Sequence, residues 1–411
     1  MINKKLQQKV KQHTILGLIP AEWWFGTVQD LVDQEIIYKP MDGNHGSIHP
    51  KASDYVDDGV PFVMANNIID GKLDLSSCSF LTQERADSLQ KGFSKTGDIL
   101  LTHKGSVGGT AVVPGITTPY LMLTPQVTYY RAKDFEKIEP LFIKALFMSE
   151  RFQALLERLS GGGTRAYIGI TAQRLLPFLM PSVVEQKRIV RVLKTWDEAI
   201  GKLDRMIELK KDVKKGLMQK LLTGELRLPG FSEKWKSYEF LELFDVLKKP
   251  TGYKSEDYNP EGAIPIIDQS YHKRISGYTD EIENSYDFSN KAVVVFGDHS
   301  RVIKYINGLV AFGNDGIKLF QSKDSIKIKF GYYLLKNYRI PETGYNRHFK
   351  YLENAVFTIP STKEQSSIEE VLSASDAEIE ILKNKLKCLR DQKKYLLNNL
   401  VTGQIRTPEN L

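Results

Sequence analysis

The residues best suited to chemistry in this chain cluster in five short loops. Thr102-His103-Lys104-Gly105-Ser106 and Gly163-Thr164-Arg165-Ala166-Tyr167 lie in the first half. Asp268-Gln269-Ser270-Tyr271-His272-Lys273-Arg274, Asp298-His299-Ser300-Arg301 and Asn346-Arg347-His348-Phe349-Lys350 lie in the second. Each mixes cations that can hold phosphate with amide, hydroxyl or imidazole groups that can read base edges. The candidates for DNA contact are His103, Lys104, Ser106, Thr164, Arg165 and Tyr167, then Gln269, Tyr271, Lys273, Arg274, His299, Arg301, Arg347 and Lys350. Any one such loop also looks like an ordinary surface turn. Two of them recur: a Gly-rich turn with an Arg, at 161–165 and at 344–347, precedes a Pro-Ser-x-x-Glu-Gln box in each half.

Catalytic motifs are missing. There is no Gly-x-x-x-x-Gly-Lys-Ser/Thr phosphate loop, and the run at Gly161 lacks the following Lys. There is no Asn/Asp-Pro-Pro-Tyr/Phe, with which adenine methyltransferases hold their target amino group. Phe312-Gly313-Asn314-Asp315-Gly316 reads as a hairpin turn. His45 and His49 have the spacing of helical zinc ligands, but Gly46 and Pro50 mark a loop, so no metal is expected. The chain is therefore expected to be non-catalytic and to carry no cofactor of its own.

What positions the loops is an internal repeat. Pro181-Ser182-Val183-Val184-Glu185-Gln186 and Pro360-Ser361-Thr362-Lys363-Glu364-Gln365 lie 179 residues apart. At that offset, without a gap, Ile189 meets Ile368, Asp197 meets Asp376, Lys214 meets Lys393, Thr223-Gly224 meets Thr402-Gly403 and Arg227 meets Arg406. About nineteen of forty-nine positions are identical. Ser182/Glu185 and Ser361/Glu364 read as capping boxes, and each copy stops at a Gly followed by a Pro. Between these signals the apolar residues step by four and three, as in a coiled coil. The first seam is Ile189, Leu193, Trp196, Ile200, Leu203 and Ile207, drifting on through Val213, Leu217 and Leu221. The second is Ile368, Leu372, Ile379, Leu382, Leu386 and Leu389, continuing to Leu396 and Leu400, with Ser375 and Lys393 at polar gaps. Two helices of about 35 residues, each roughly 50 Å long, should pair antiparallel.

The segments before each helix also correspond, more loosely. Trp23, Val28 and Leu31 match Trp235, Phe240 and Leu243. Strands are expected at Asp98–Thr102, Thr110–Val113 and Gln126–Tyr130, and at Ala292–Phe296, Leu309–Phe312 and Gly316–Phe320. Helices are expected at Pro140–Leu159 and Lys329–Tyr338. The expected domains are 1–180, a first spacer helix 181–228, a second domain 229–359 and a second spacer helix 360–411.

Composition fits this reading. The 411 residues are too many for one ordinary core, and 41% hydrophobic with 26% charged suits a globular chain. A formal net charge of +7 hints weakly at an acidic partner. Two distant cysteines, Cys78 and Cys388, suggest a reducing compartment, and no apolar run approaches a membrane span. A cytoplasmic protein is expected.

The two Pro-Ser-x-x-Glu-Gln boxes, the long helices after them, Gly97-Asp98-Ile99-Leu100 and Trp235 through Leu243 together resemble the specificity (S) subunit of Type I restriction–modification systems. The resemblance runs through essentially the whole chain. It implies an α+β, pseudo-twofold tandem repeat: two mixed α/β target-recognition domains joined by two long antiparallel coiled-coil helices. It implies a non-catalytic subunit in which each domain reads one half of a split site on double-stranded DNA. Two methyltransferase (M) subunits, with S-adenosylmethionine, would dock on the helices and methylate adenine. Restriction/translocase (R) subunits, with ATP and Mg2+, would join for cleavage. A helix of roughly 50 Å could hold two domains over half-sites about 34–36 Å apart. Two other readings stand beside this one: a coiled-coil adaptor whose domains bind peptides, and a self-sufficient methyltransferase or nuclease.

Overall fold

The computed structural model describes residues 11–161, 166–248, 251–271, 274–314, 316–344 and 346–409. Two helices of 39 residues each, Val183–Leu221 and Thr362–Leu400, run without interruption. The chain divides into two compact units. The first takes residues up to Lys202 together with those from Leu386 onward; the second is Leu203–Lys385. Each unit therefore holds the half of one long helix beside the half of the other.

Both units contain the same four-stranded antiparallel sheet. In the first unit its order is Ser106–Val112, Ile99–Lys104, Val127–Tyr130, Met41–Asp42. In the second it is Ile303–Ile306, Val293–Gly297, Ile317–Ser322, Phe244–Leu247. The central strands are buried on both faces, which explains why they read as continuous β-branched and aromatic runs. A further strand pair recurs, Trp24–Thr27 with Pro177–Met180 and Lys236–Glu239 with Val356–Ile359. Each unit adds a five-stranded sheet of its own, and these differ: Phe93–Ser94, Leu121–Leu123, Val60–Val63, Ser79–Leu81 and Tyr55–Val56 in the first unit; strands around Leu309–Gly313 in the second.

Two expectations need correction. The helix expected over Pro140–Leu159 is two helices, Pro140–Met148 and Glu150–Leu159, broken where Ser149 is extended and its hydroxyl donates to the Leu146 carbonyl at 2.7 Å. Leu309–Gly313 and Ile317–Ser322 are not a hairpin: they belong to different sheets, so the turn between them is a crossing. Asp315 itself lies outside the described residues.

The helix seam is apolar and buried in both units. Ile189 and Leu193 join Leu397, Leu400 and Val401 in the first core; Met218 and Leu221 join Ile368 and Leu372 in the second. Leu203, Ile207, Ile379 and Leu386 are buried, and Trp196, Ile200, Leu382 and Leu389 are half-buried. The drift through Val213 fails. Val213 is exposed and Lys214 takes the inward position, so the apolar line continues through Met218.

Antiparallel pairing is explicit within each unit. In the first, Glu185 meets Arg406 and Asp197 meets Lys393 at 2.5 Å. In the second, Glu364 meets Arg227, Asp376 meets Lys214, and Glu378 meets Lys210 at 2.6 Å. The first two pairs of each unit are the same residues at the 179 offset.

The boxes at the helix starts are more than caps. The Ser182 hydroxyl does accept from Glu185 N, at 3.4 Å. The Glu185 carboxylate, however, does not turn back on its own helix. It accepts from Arg406 Nε and Nη2 at 2.5 and 2.8 Å and from the Trp23 indole at 3.2 Å. Glu364 does the same with Arg227, at 2.6 and 2.7 Å, and Trp235, at 3.3 Å. The neighbouring glutamines are fully buried. Gln186 accepts from Glu139 N at 2.9 Å and donates to the Lys137 and Pro181 carbonyls; Gln365 accepts from Lys327 N at 2.8 Å and donates to those of Ser325 and Pro360. Each satisfies an N–H group at the start of another helix, Pro140–Met148 or Ile328–Asn337, which would otherwise be orphaned in the interior.

Candidate nucleic-acid interface

Most of the described candidate residues gather, within each unit, at the hairpin of Ile99–Lys104 with Ser106–Val112 or of Val293–Gly297 with Ile303–Ile306. In the first unit the hairpin tip is Gly105, whose φ of +81° suits a residue without a Cβ. The segment after the Gly-rich turn lies against it. Gly105 N donates to the Ala166 carbonyl at 3.0 Å, and Ile168 N donates to the His103 carbonyl at 2.9 Å. Lys104 and Tyr167 face each other in a β-bridge. Lys104 and Ser106 are exposed, and Tyr167 is about half-exposed, so these three stand where a ligand could meet them. Thr164 and Arg165 lie outside the described residues.

His103 is a different case. It is buried, with Nδ1 3.1 Å from the Ile168 carbonyl. A carbonyl can only accept, so that nitrogen carries the proton. Burial holds its pKa below the ordinary 6.5, with the Asp42 carboxylate pulling the other way. Its place suits fastening the hairpin to the segment at Ile168.

The second unit builds the same junction with other residues. Asp298, buried at the end of Val293–Gly297, donates its N–H to the Gly316 carbonyl at 2.7 Å. Its carboxylate accepts from the backbone N–H groups of His348 and Phe349, both at 2.8 Å. His348 Nδ1 sits 2.9 Å from the Asp298 carbonyl. His299 N donates to the Gln269 side chain at 3.3 Å. These bonds draw together the loops holding Gln269, His299, Arg301, Arg347 and Lys350. Tyr271, Arg274, Arg347 and Lys350 are exposed, whereas Gln269, His299 and Arg301 are half-buried. Lys273 lies outside the described residues.

Beneath this cluster Asp268 accepts from Ser276 Oγ at 2.5 Å and Ser270 N at 2.8 Å, with Lys304 Nζ at 3.9 Å. Burial alone would raise its pKa. The hydrogen bonds from Ser276 and Ser270 and the Lys304 charge outweigh that and keep it low. Burial lowers the pKa of Lys304, against the pull of Asp268. Sequence reasoning missed Asp298, Asp268 and Lys304. Nothing in an isolated Asp or Lys announces a buried partner from a distant loop.

Among the described residues no group of three or more His, Cys, Asp or Glu side chains could hold a metal ion. His45 pairs with Asp42 at 2.6 Å in a loop. No described helix is long and apolar enough to cross a membrane.

The family model described as "Type I restriction modification DNA specificity domain" matches residues 232–390. The chain is 24% identical over 426 aligned positions to the specificity subunit assigned to the type I restriction enzyme MjaX of Methanocaldococcus jannaschii, covering 96% of both proteins. Among solved structures it resembles a chain of the type I R-M system described for complex assembly and conformational transition, with a TM-score of 0.59 and 18% identity over 94% of this chain and 99% of that one. It also resembles the Type I S subunit of M. genitalium, with a TM-score of 0.53 and 16% identity over 92% of this chain and 96% of that one. The structural likenesses speak to the fold. Residues 232–390 therefore match the Type I restriction–modification DNA specificity domain, and over nearly its whole length the chain is similar to a Type I specificity subunit.

Proposed function

We propose that this chain reads a bipartite site on double-stranded DNA, one half-site through each unit's hairpin-and-turn cluster, and performs no chemistry itself. Two methyltransferase subunits carrying S-adenosylmethionine dock on the long helices and methylate adenine where the chain directs them. Restriction/translocase subunits using ATP and Mg2+ join them for cleavage. The observation that carries the reading is that both units present one junction, strand tip against post-turn segment, with different side chains displayed on it. A shared frame with unlike reading residues is what two different half-sites require. The helices, at 39 residues each, are about 58 Å long and can bridge half-sites one duplex turn apart, about 34–36 Å.

The test is adenine-methylation mapping of DNA modified by the assembled complex. A split motif with an unspecified gap is the expected result. A contiguous motif would overturn the two-head reading. Methyl transfer by the purified chain alone would overturn its non-catalytic role.

A further inference from the structure

Arg301 departs from the rule that governs turn tips. The hairpin of Val293–Gly297 and Ile303–Ile306 is closed by Gly297 N donating to Val302 O at 2.9 Å and Arg301 N donating to Gly297 O at 2.7 Å. In this turn Arg301 takes a φ of +61°, where side chains with a Cβ are strained. The equivalent hairpin of the first unit places Gly105 in that conformation. A costly residue at a tip that accepts glycine signals a use for the side chain. Its guanidinium rests on Glu342 at 2.9 Å, and that carboxylate is 79% exposed, so solvent or another anion can replace it. Arg301, Arg339, Ile340, Pro341 and Glu342 line a surface cleft of about 490 Å³. Arg339 is exposed there. The cleft thus offers two fork-shaped cations and one carboxylate, and the carboxylate already engages one of the forks. A planar guanidinium serves carboxylate and phosphate by the same bidentate geometry.

We infer that Arg301 and Arg339 form a seat for a backbone phosphate of nucleic acid, and that Glu342 is its built-in competitor, holding Arg301 in place until a phosphate displaces it. This rests on the DNA-reading role proposed above and specifies one contact within it. Arg301 then positions the duplex without reading sequence. Glu342 weakens binding wherever the phosphate is not presented at the right place, and so trims non-specific affinity.

The experiment measures binding of the full chain to duplex DNA carrying its methylation motif, over a range of salt concentrations. Wild type is compared with Glu342→Gln, Arg301→Gln, the double variant and Arg301→Gly. Glu342→Gln should tighten binding several-fold at low salt. Arg301→Gln should weaken it and lower the log–log salt slope by about one. In the Arg301→Gln background the Glu342 substitution should change little. If it tightens binding equally there, Glu342 acts only through net charge and the inference fails. Arg301→Gly guards against misfolding: it relieves the strain, so it should melt no lower than wild type yet bind DNA more weakly. Undiminished binding by that variant would also overturn the seat. Inorganic phosphate, matched to chloride in ionic strength, is the probe for a free anion. If it raises the melting temperature of wild type but not of Arg301→Gly, while DNA binding of the two is the same, the seat serves free phosphate and the nucleic-acid assignment falls. A wild-type chain with no salt-dependent DNA affinity would instead sink the broader reading.

Discussion

His103 and His348 make the same bond from opposite sides of the same junction. In the first unit the histidine sits on the strand and donates to Ile168 beyond the turn; in the second it sits beyond the turn and donates to Asp298 at the strand end. The backbone bond beside it runs the same way in both, from Ile168 N to His103 O and from His348 N to Asp298 O. The frame has been kept while its fastener moved to the other side of the junction.

That fastener gives the first unit an acid-sensitive point. Burial lowers the pKa of His103 in the folded chain, so below its ordinary value of 6.5 the unfolded chain binds the proton more readily. Stability is therefore full above pH 6.5 and falls as pH drops from there through the lowered folded value. Hydrogen exchange of Ile99–Lys104 should show earlier opening across that window. His103→Asn should remove the pH dependence.

The buried Glu364 predicts a steep cost for losing its clamp. Arg227→Ala leaves a carboxylate whose side chain is only 1% exposed facing one indole N–H, and should destabilise the second unit by about 3 kcal/mol. Arg227→Lys recovers part of this, because an ammonium cannot grip both oxygens at once. Denaturant unfolding of the full chain checks both.

Lys214 and Asp376 should respond unequally to removal. The Lys214 side chain is 9% exposed and that of Asp376 44%. Asp376→Ala strands a desolvated ammonium and should cost about 3 kcal/mol. Lys214→Met leaves a carboxylate that keeps water and the Tyr333 hydroxyl at 2.7 Å, so it should cost less than about 1 kcal/mol or stabilise. Equal effects in thermal melts would contradict this account.

Exposed cations at the two tips should act on DNA through charge alone. Lys104→Ala and Lys350→Ala should each weaken binding to all sequences alike and lower the salt slope by about one. A change in the methylation motif after either substitution would mean that the lysine reads bases.

Lengthening the spacer tests its role as a ruler. One helical turn inserted into each long helix, after Lys202 and after Lys385, should widen the unspecified gap of the methylated motif. An unchanged gap in methylation mapping would contradict that role.

The long helices were legible because repeated apolar spacing and shared end signals are local and periodic. Ile189, Leu193, Ile368 and Leu372 are buried in the cores to which their spacing pointed. Glu185 and Glu364 were misread as simple caps because their partners, Arg406 and Arg227, stand 221 and 137 residues away. Periodicity carries no information about such pairs. The loop candidates were legible as surface turns, but His103 shows the limit: an imidazole beside Lys104 looks alike in sequence whether it faces water or the sheet interior. The crossing at Asn314–Gly316 was misread for a related reason. A turn between two strands says nothing about which sheet each strand joins.

The bond from Arg406 to Glu185 also has a temporal meaning. Residues 386 onward complete the core to which Leu16, Ile19 and Trp23 belong, whereas 203–385 is contiguous. During synthesis the later-encoded unit has all its parts before the earlier one does. The amino-terminal half must wait, with Trp23 and Glu185 lacking their final partner, until a segment some two hundred residues downstream emerges, reversing the usual order in which domains mature on the ribosome.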